Sequence, residues 1–561
     1  MKDRLIPAPC PAWSGSNVSI SLVAILAVWA LGIRLYGIDF GLPAILDPDE
    51  LIFQLGAVRM IESGNLNPGW FGHPATTTMY VLAVVDALVF AVGRLLGDYA
   101  SLEQFGEAIF LDPGIVMLPS RIAMAVFAVF SIVLTYRLGT RIGDRMVGLV
   151  GAALMTFNPV HIAWSQVVRS DIMATTFLLL VMLASTKLDQ NPRKRDYVIA
   201  SLYTALAITS KWPFALAFLG VVGSIFLGAL HRSGRVNDAL RPSLWCGAFV
   251  CLFVVLISPH LLLDFGTLVS NLQGEAQVQH VGATGTGFLS NLLQYLSGPI
   301  WRGLGPLGSA LAIAGFVFAR HQVRLWVIAG VPAIAILIVI ANQNLVWDRW
   351  AIALFPFLSI LAGFGASGIL QTFGAGQRVR LLAKITMALG LVLPPLCASL
   401  GAANERIHDN RRQATDWAKQ NLPKGRSLLI EHFAFDLVSS EFEILFPIGV
   451  GGCFDARQML AGRIDYQMVD SLRGGKSNLD YAAVPEAKLA SCKSDFAILT
   501  EHQRYRIDRA RFPAAFNRYQ EVIASGSVLK RFPAVSGEIG GRPEVLVLDL
   551  RSDPDPTVDL K

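Results

Sequence analysis

The sequence predicts a polytopic α-helical membrane protein of about 11 transmembrane helices that carries a C-terminal soluble α/β domain. Only 16% of the 561 residues are charged and 53% are hydrophobic, whereas soluble domains carry about 25% charged residues. The mean hydropathy is +0.51. Apolar runs of roughly 17–25 residues, which is the length that spans a bilayer core, recur as far as residue 402 and then stop.

The apolar runs divide into eleven predicted spans. They are 19–38, 119–140, 147–165, 172–188, 197–212, 213–230, 244–262, 303–319, 325–341, 350–370 and 382–402. The first run is too long for the apolar part of a signal peptide and no cleavage site follows it, so we expect it to remain as a span.

Lysine and arginine cluster in the short loops at 137–145, 187–195, 232–241, 320–324 and 378–384. Such loops face the cytoplasm in membrane proteins. With Lys2 and Arg4 ahead of the first span, the pattern predicts a cytoplasmic N-terminus and an extracytoplasmic C-terminal domain. The clustering also explains the net charge of +6 without nucleic acid, which we exclude as a partner.

Two segments are ambiguous. Residues 75–97 are apolar enough to cross, but a crossing there would put the N-terminus outside, so we expect a re-entrant or interfacial helix. Residues 197–230 must cross twice to keep both flanking basic loops inside. Lys211-Trp212-Pro213 is the predicted break, because proline disfavours a continuing helix.

The predicted domains are a transmembrane unit at 1–402 and an extracytoplasmic, periplasmic α/β unit at 403–561. In the second unit "SLLI", "FAILT" and "EVLVLDL" are typical of short buried strands, and "ATDWAKQNLPKG" begins with a helix. Cys453 and Cys492 are its two cysteines. A disulfide is possible because the predicted outer side of the membrane permits oxidation. The alternative, two buried free thiols, remains open.

The first outer loop contains Asp47-Pro48-Asp49-Glu50. Asp47 as N-cap, proline at the first helical position and two acids in the first turn predict a helix start. Three acids at a membrane boundary are also costly unless they are hydrated or used. We therefore consider this motif a candidate site as well as a cap.

Several polar groups share the predicted outer face. His73-Pro74 and Thr76-Thr77-Thr78 precede the apolar segment 75–97, where they form either a helix cap or an anion site. Cations there oppose the positive-inside trend, so they either snorkel and pair locally or hold a phosphate. The groups involved are Arg169, Asp171, Lys211 and Arg349. A carboxylate with cations suits proton removal from a hydroxyl while a lipid phosphate departs.

The order of these motifs resembles the GT-C glycosyltransferase superfamily, and within it the dolichyl-phosphate-mannose protein mannosyltransferase-like group (glycosyltransferase family 39), which includes the aminoarabinose transferase of lipid A. The resemblance covers about residues 20–430. It rests on Asp49-Glu50, His73-Pro74, "PVHIAWSQVVRSD", "AITSKWP", "DRWAIALFP" and "TDWAKQNLPKG". Relatives often have Lys-Pro-Pro at His73-Pro74-Ala75 and tyrosine at Trp350, and no β-trefoil-sized insertion is present here.

The resemblance implies an inverting transferase at the outer face of a bacterial inner membrane. The donor would be a polyprenyl-phosphate-linked hexose or pentose, and the acceptor a hydroxyl of an envelope glycan, lipid or protein. Asp49 would be the general base and Glu50 its neighbour that orients the acceptor. The donor phosphate or sugar would contact His73, Arg169, Asp171, Lys211 and Arg349. No cofactor or metal site is predicted, although the acids around Asp49 are compatible with a divalent cation.

Two other classes remain open from the sequence: a transporter or flippase of lipid-linked sugars, and a non-catalytic envelope assembly protein. A transporter would place polar groups and broken helices near the membrane midplane, often in repeats. The long outer connection 263–302 is predicted to be a lid, because three glycines between 282 and 287 separate two segments with helical apolar spacing.

Overall fold

The computed structural model describes residues 17–372, 376–455, 457, 466–474, 479–535 and 542–551. Lys2, Arg4 and Cys10 lie outside these residues. The helices of the first 421 residues are α1 (Asn17–Leu35), α2 (Pro48–Ser63), α3 (Thr76–Leu96), α4 (Leu102–Leu111), α5 (Gly114–Ile142), α6 (Arg145–Phe157), α7 (Pro159–Ser165), α8 (Ser170–Leu188), α9 (Lys194–Ser210), α10 (Phe218–Ser233), α11 (Leu240–Ile257), α12 (His260–Leu263), α13 (Phe265–Glu275), α14 (Phe288–Tyr295), α15 (Trp301–Phe318), α16 (Val323–Leu325), α17 (Val331–Ala341), α18 (Phe355–Thr372), α19 (Gln377–Ile407) and α20 (Asn410–Asn421).

The predicted fold class is confirmed. Within the described ranges, nine helical segments are long and apolar enough to cross a membrane, and the pair α6 and α7, bent by 58°, makes a tenth. The apolar part of α1, Ile20–Leu35, is shorter. The predicted break after α9 is present, since Ser210 ends that helix and a 3-10 turn, Trp212–Ala217, leads into α10.

Helix α3 is one of the nine apolar segments, yet its contacts favour the predicted interfacial position. At its start, Thr77 Oγ1 lies 2.6 Å from Thr209 Oγ1 at the end of α9. Near its end, the ring of Phe90 packs 5.4 Å from that of Phe105 on α4. Helix α4 in turn lines a cavity together with Phe435 of the C-terminal part. Both ends of α3 therefore meet groups at the same face of the helical bundle.

The C-terminal part is built on a six-stranded mixed sheet in the order β3-β2-β1-β4-β6-β5. The strands are β1 (Ser427–Ile430), β2 (Glu443–Pro447), β3 (Cys453–Asp455), β4 (Phe496–Leu499), β5 (Ser527–Phe532) and β6 (Val545–Asp549). Strands β2, β1 and β4 run parallel, while β3, β6 and β5 pair antiparallel. The flanking helices are Tyr466–Arg473, His502–Ile507 and Pro513–Ala524.

Three predicted strands correspond to β1, β4 and β6, which are buried along their whole length apart from Ser427 at the start of β1. Cys453 and Cys492 form a disulfide with a Cα–Cα distance of 4.9 Å. This result settles the alternative that the sequence left open, and it ties the edge strand β3 to the 3-10 segment Glu486–Cys492.

The first outer loop pairs directly with the C-terminal part. The backbone N–H of Ile45 donates to the carbonyl of Phe433 at 2.8 Å, and Arg411 at the start of α20 donates to the carbonyl of Leu46 at 3.1 Å. Both contacts lie within two residues of Asp47. The C-terminal part therefore helps to position the acidic motif.

Candidate active site

A cavity of about 1060 Å³ lies where the helical bundle meets the C-terminal part. Its polar wall includes Asp49, His73, Arg169 and Arg349. A cavity of this size can hold a drug-sized ligand, since such sites usually measure 300–1,000 Å³. Four of the seven predicted site residues therefore meet in one space.

The helix start at the acidic motif is confirmed. Asp47 is the N-cap of α2, where its carboxylate accepts from the backbone N–H of Asp49 at 3.1 Å, and Pro48 is the first helical residue. The Asp47 carboxylate also pairs with Arg169, with 2.6 Å between Oδ1 and Nη2. The cap and the ion pair thus use the same side chain.

Asp49 projects from the first turn of α2 toward two arginines. Its Oδ2 accepts from Arg169 Nη1 and lies 3.7 Å from Arg349 Nη2. The ring of Trp164 lies beside both guanidinium groups, with centroid distances of 5.4 Å to Arg169 and 5.9 Å to Arg349. Trp164 therefore contributes a rigid aromatic wall to this cluster.

Electrostatics keep Asp49 ionised among these groups. Burial by itself would raise the pKa of Asp49, but Arg169, Arg349 and His73 together hold that pKa well below its usual range. Opposite charges within a few ångströms favour the ionised form. An ionised carboxylate among cations can accept a proton only when something reduces the pull of those cations.

His73 stands beside the same cluster in a neutral form. Burial, and then the charges of Lys211 and Arg349, lower the pKa of His73 to about 3. Its ring packs 5.0 Å from that of Trp70 and 5.8 Å from that of Phe53. Ala75, two residues on, has φ of +59°, a left-handed conformation that is strained for alanine and that the surrounding packing must hold.

Glu50 does not line the cavity. It is fully buried, and both of its carboxylate oxygens accept from Arg121 of α5, at 2.9 and 2.7 Å. One of these oxygens also accepts from the backbone N–H of Val168 at 2.9 Å, next to Arg169. Glu50 thereby joins α2 to the segment that carries Arg169.

Asp171 and Lys211 also lie behind the cavity wall, where they pair at 2.5 Å between Oδ1 and Nζ. Lys211 forms an antiparallel bridge with Pro74, and the following N–H, of Trp212, donates to the carbonyl of His73 at 2.7 Å. This pair therefore fixes the backbone that presents His73.

Sequence reasoning missed several groups of the cavity wall. From the membrane part they are Trp164, Glu275 and His280, and from the C-terminal part they include Asp480, Glu501 and Arg504. The tryptophan lies inside the motif "PVHIAWSQVVRSD", which could have drawn attention to it. Nothing in the sequence marks the other groups, because they are single polar residues far from the motifs.

The predicted lid has the predicted helices at its ends, α13 and α14. Between them, the carbonyl of Val281 accepts from Arg504 at 2.8 Å, and Gly285 N–H donates to the carbonyl of Asn344 at 2.7 Å. The connection thus lies between the C-terminal part and the segment that leads to Arg349. Whether it moves stays a prediction.

The residues present do not favour a divalent cation beside Asp49. In the described part of the chain no group of three or more His, Cys, Asp or Glu side chains is arranged to hold a metal. Arg169 already pairs with both Asp47 and Asp49, and a divalent cation would have to displace it. We assign no metal to this site.

Comparisons with known proteins agree with the geometry. Residues 102–262 match the family described as dolichyl-phosphate-mannose-protein mannosyltransferase. Two crystal structures of ArnT from Cupriavidus metallidurans, one in the apo state and one bound to undecaprenyl phosphate, superpose with TM-scores of 0.51 at 14% identity. The alignments cover 95% and 96% of this chain and 98% and 99% of ArnT. No curated protein matches the sequence.

This likeness extends over nearly the whole chain, and at 14% identity it establishes the fold. The matched family segment runs from α4 to α12 and includes Trp164, Arg169 and Lys211. The chain therefore has the fold of ArnT and several helical segments able to cross a membrane. The predicted resemblance to the dolichyl-phosphate-mannose protein mannosyltransferase-like group is confirmed over residues 102–262.

Proposed function

We propose that this protein is an inverting glycosyltransferase that moves a sugar from a polyprenyl-phosphate donor to a hydroxyl of an envelope glycan, lipid or protein. The observation that carries the proposal is Asp49, which is paired with Arg169 and close to Arg349 in a cavity at the membrane face. A base beside two phosphate-binding cations is what this transfer requires.

The proposed donor phosphate lies against Arg169 and Arg349. Arginine suits this role because its planar fork can bind two phosphate oxygens at once. Arg349 has spare capacity, since none of the described residues forms a hydrogen bond with its guanidinium group, and Asp49 lies 3.7 Å away. The undecaprenyl phosphate bound to ArnT, a protein of the same fold, supports a polyprenyl carrier.

In the proposed reaction the acceptor hydroxyl oxygen attacks the anomeric carbon from the side opposite the phosphate. The new carbon–oxygen bond forms as the bond to the phosphate oxygen breaks, which inverts the anomeric centre. Asp49 takes the hydroxyl proton, and polyprenyl phosphate departs on the two arginines. Each arginine stabilises negative charge that grows on the leaving group.

Donor binding would also activate the base. Arg169 and Arg349 hold the pKa of Asp49 low, which makes the Asp49 carboxylate a weak proton acceptor. A bound phosphate would share the same guanidinium groups and offset their charge. The pKa of Asp49 would then rise, so that the base becomes effective only when donor is present.

We propose positioning roles for three residues predicted to touch substrate. The Glu50 carboxylate is paired with Arg121. It would therefore hold α2 against the Arg169 segment and would not orient the acceptor. Asp171 and Lys211 neutralise each other and would set the loop that presents His73. Removal of one partner would leave a buried unpaired charge, which is costly.

We further propose that residues 1–402 form the catalytic membrane unit and residues 403–561 an extracytoplasmic unit of a bacterial inner-membrane protein. The basic loops support a cytoplasmic N-terminus. The C-terminal unit walls one side of the cavity with Asp480, Glu501 and Arg504. This side would receive the acceptor.

The test is turnover by the purified protein in nanodiscs with polyprenyl-phosphate sugars and an envelope extract. Release of polyprenyl phosphate, together with a mass increase of one sugar on an envelope component that cells without the gene lack, is expected. Movement of intact donor across the bilayer of proteoliposomes that carry the protein would instead identify a transporter. If the protein shows neither turnover nor donor movement, it would be an assembly protein.

A further inference from the structure

Glu275, at the C-terminal end of α13, faces His73 across one corner of the cavity. The Oε2 atom of Glu275 lies 3.9 Å from Nε2 of His73, and both residues line the cavity together with Asp49. The distance exceeds a hydrogen bond, which ends near 3.2 Å between heavy atoms. No atom fits directly between Nε2 and Oε2, but a group beside both of them in the cavity can bridge the two. This corner of the cavity is called the gap.

The position of Glu275 is fixed by the loop that carries His73. Asn67 donates to Asp264 at 2.9 Å, and the backbone N–H of Phe71 donates to Asn271 at 2.8 Å. These contacts dock α13 on residues 67–71 at two points, one turn and almost three turns before Glu275. The gap is therefore built by two segments that are held together.

Among the described residues, the one basic side chain within ion-pair distance of Glu275 is His73, and His73 is neutral. The Glu275 side chain is 38% exposed and lines the cavity. A carboxylate in this position remains available to accept a hydrogen bond from a ligand.

The proton of neutral His73 can be assigned from its surroundings. The Nδ1 atom is buried and has no partner. A buried N–H without an acceptor is rarer and more costly than a lone pair without a donor. The proton therefore belongs on Nε2, which points toward the gap and Glu275.

The gap thus presents one donor, His73 Nε2–H, and one acceptor, the Glu275 carboxylate. A hydroxyl group matches both, because it accepts and donates at once. An ammonium group could not accept from Nε2–H, and a carboxylate could not donate to Glu275. The chemistry selects a neutral hydroxyl at this point.

We propose that Glu275 and His73 form a subsite for one ring hydroxyl of the donor sugar, and that Glu275 determines which sugars are accepted. The inference rests on the proposed function. The donor, rather than the acceptor, is assigned because the His73 loop is bonded to the Lys211 segment next to the phosphate-binding arginines. The C-terminal wall on the other side is left for the acceptor.

The experiment measures the affinity of full-length protein in nanodiscs for undecaprenyl phosphate alone and for a panel of undecaprenyl-phosphate hexoses and pentoses. In the wild type, one or more sugars should bind more tightly than the bare phosphate. Glu275→Ala should lose about tenfold or more of that sugar-dependent affinity, the usual effect of a hydrogen bond to a charged group. Its affinity for undecaprenyl phosphate should stay within twofold.

Two further variants sharpen the result. Glu275→Gln keeps an oxygen acceptor and should lose much less than Glu275→Ala, whereas Gln273→Ala, an exposed control on the same helix, should change neither affinity. Donor analogues that carry an amino group, or no group, in place of the contacted hydroxyl should bind weakly to the wild type. Glu275→Ala should bind these analogues no more weakly than it binds the parent sugar.

Unchanged sugar-dependent affinity in Glu275→Ala, with phosphate binding intact, would overturn the subsite and leave the proposed function standing. A wild-type protein that binds neither undecaprenyl phosphate nor its sugar esters would overturn both.

Discussion

Arg349 shows how single side chains prepare this site. Arg349 is 94% buried. Its guanidinium group lies 4.4 Å from the ring centroid of Trp347 and 3.7 Å from the Asp49 carboxylate. Buried arginines normally exhaust their donors on protein acceptors. The spare donors of Arg349 are best explained by an anionic ligand.

Arg349→Lys and Arg169→Lys should therefore raise the Michaelis constant for donor about tenfold or more, because lysine retains charge but not the bidentate geometry. Donor titration of initial rates measures this. Arg324→Lys is the matched control, since Arg324 pairs with Asp189 away from the cavity. Unchanged donor constants in both site variants would refute the phosphate assignment.

The sequence predicted four residues that line the cavity, because their motifs all lie at the same predicted membrane face. They are Asp49, His73, Arg169 and Arg349. The sequence could not separate the roles of Asp49 and Glu50. Neighbours on a helix point about 100° apart, so the two carboxylates take different directions. The choice depends on Arg121, which lies on another helix.

At the scale of elements, the connection between α13 and α14 is poised to respond to donor. Val346 N–H donates to the carbonyl of Ala283 at 2.8 Å, three residues before Arg349. The glycines of this connection adopt permissive backbone conformations, with φ of +74° at Gly282 and +112° at Gly287. A ligand bound to Arg349 could therefore shift the connection through this hydrogen bond.

Hydrogen exchange at residues 280–288 should slow when an undecaprenyl-phosphate sugar binds, because closure would order this backbone. Mass spectrometry of peptides from 276–300, with and without donor, gives the measurement. Equal exchange in both states would reduce the predicted lid to a spacer.

The C-terminal part contains a buried acid, Asp480, whose titration should be visible in the stability of the protein. Asp480 accepts from Tyr505 and from the backbone N–H of Ala483, at 2.8 and 3.0 Å. Burial, and then the nearby Glu431 and Glu501, raise the pKa of Asp480 from 3.8 to about 7. The folded protein thus holds a proton that the unfolded chain releases.

Because that pKa is raised on folding, its contribution to stability is full below pH 4 and is lost as the pH rises through 7. The melting temperature of the wild type should fall between pH 5 and pH 8, and Asp480→Asn should remove several degrees of that fall. Thermal melts at both pH values measure it. Identical pH dependence in wild type and variant would contradict the assignment.

Three of the six strands were predicted. Strand β2, which lies inside the sheet with residues 444–447 buried, was not. β1, β4 and β6 form apolar runs in the sequence, whereas β5, "SVLKRF", is an edge strand with exposed Lys530 and Arg531, and β3 has only three residues. Edge strands need no apolar pattern because one side is unpaired. Their existence depends on pairing with distant strands that local sequence does not reveal.

At the scale of the molecule, the helical order and the positive-inside pattern predicted the architecture, but not the docking of the C-terminal part. That docking rests on contacts such as the Ile45–Phe433 bridge, which join residues far apart in sequence. Neither of the two bridged segments has an alternating apolar pattern in the sequence that would reveal its partner.

The proposed orientation can be tested with single cysteines in a variant that lacks Cys10, Cys246, Cys251 and Cys397 and keeps the Cys453–Cys492 disulfide. A membrane-impermeant maleimide should label Lys424→Cys in intact spheroplasts, because Lys424 is exposed on the C-terminal part. Lys194→Cys, in a basic loop, should react only after permeabilisation. The opposite pattern would reverse the topology.

The central claim is that Asp49 is the general base, and single-turnover transfer by Asp49→Asn tests it most directly. The variant should bind undecaprenyl phosphate, because Arg169 and Arg349 remain, yet transfer should fall by about 10²–10⁴-fold, the usual contribution of acid–base catalysis. Asp47→Asn, which alters the cap and its pair with Arg169, should lose much less. Wild-type transfer by Asp49→Asn, in protein that still binds undecaprenyl phosphate, would contradict the account.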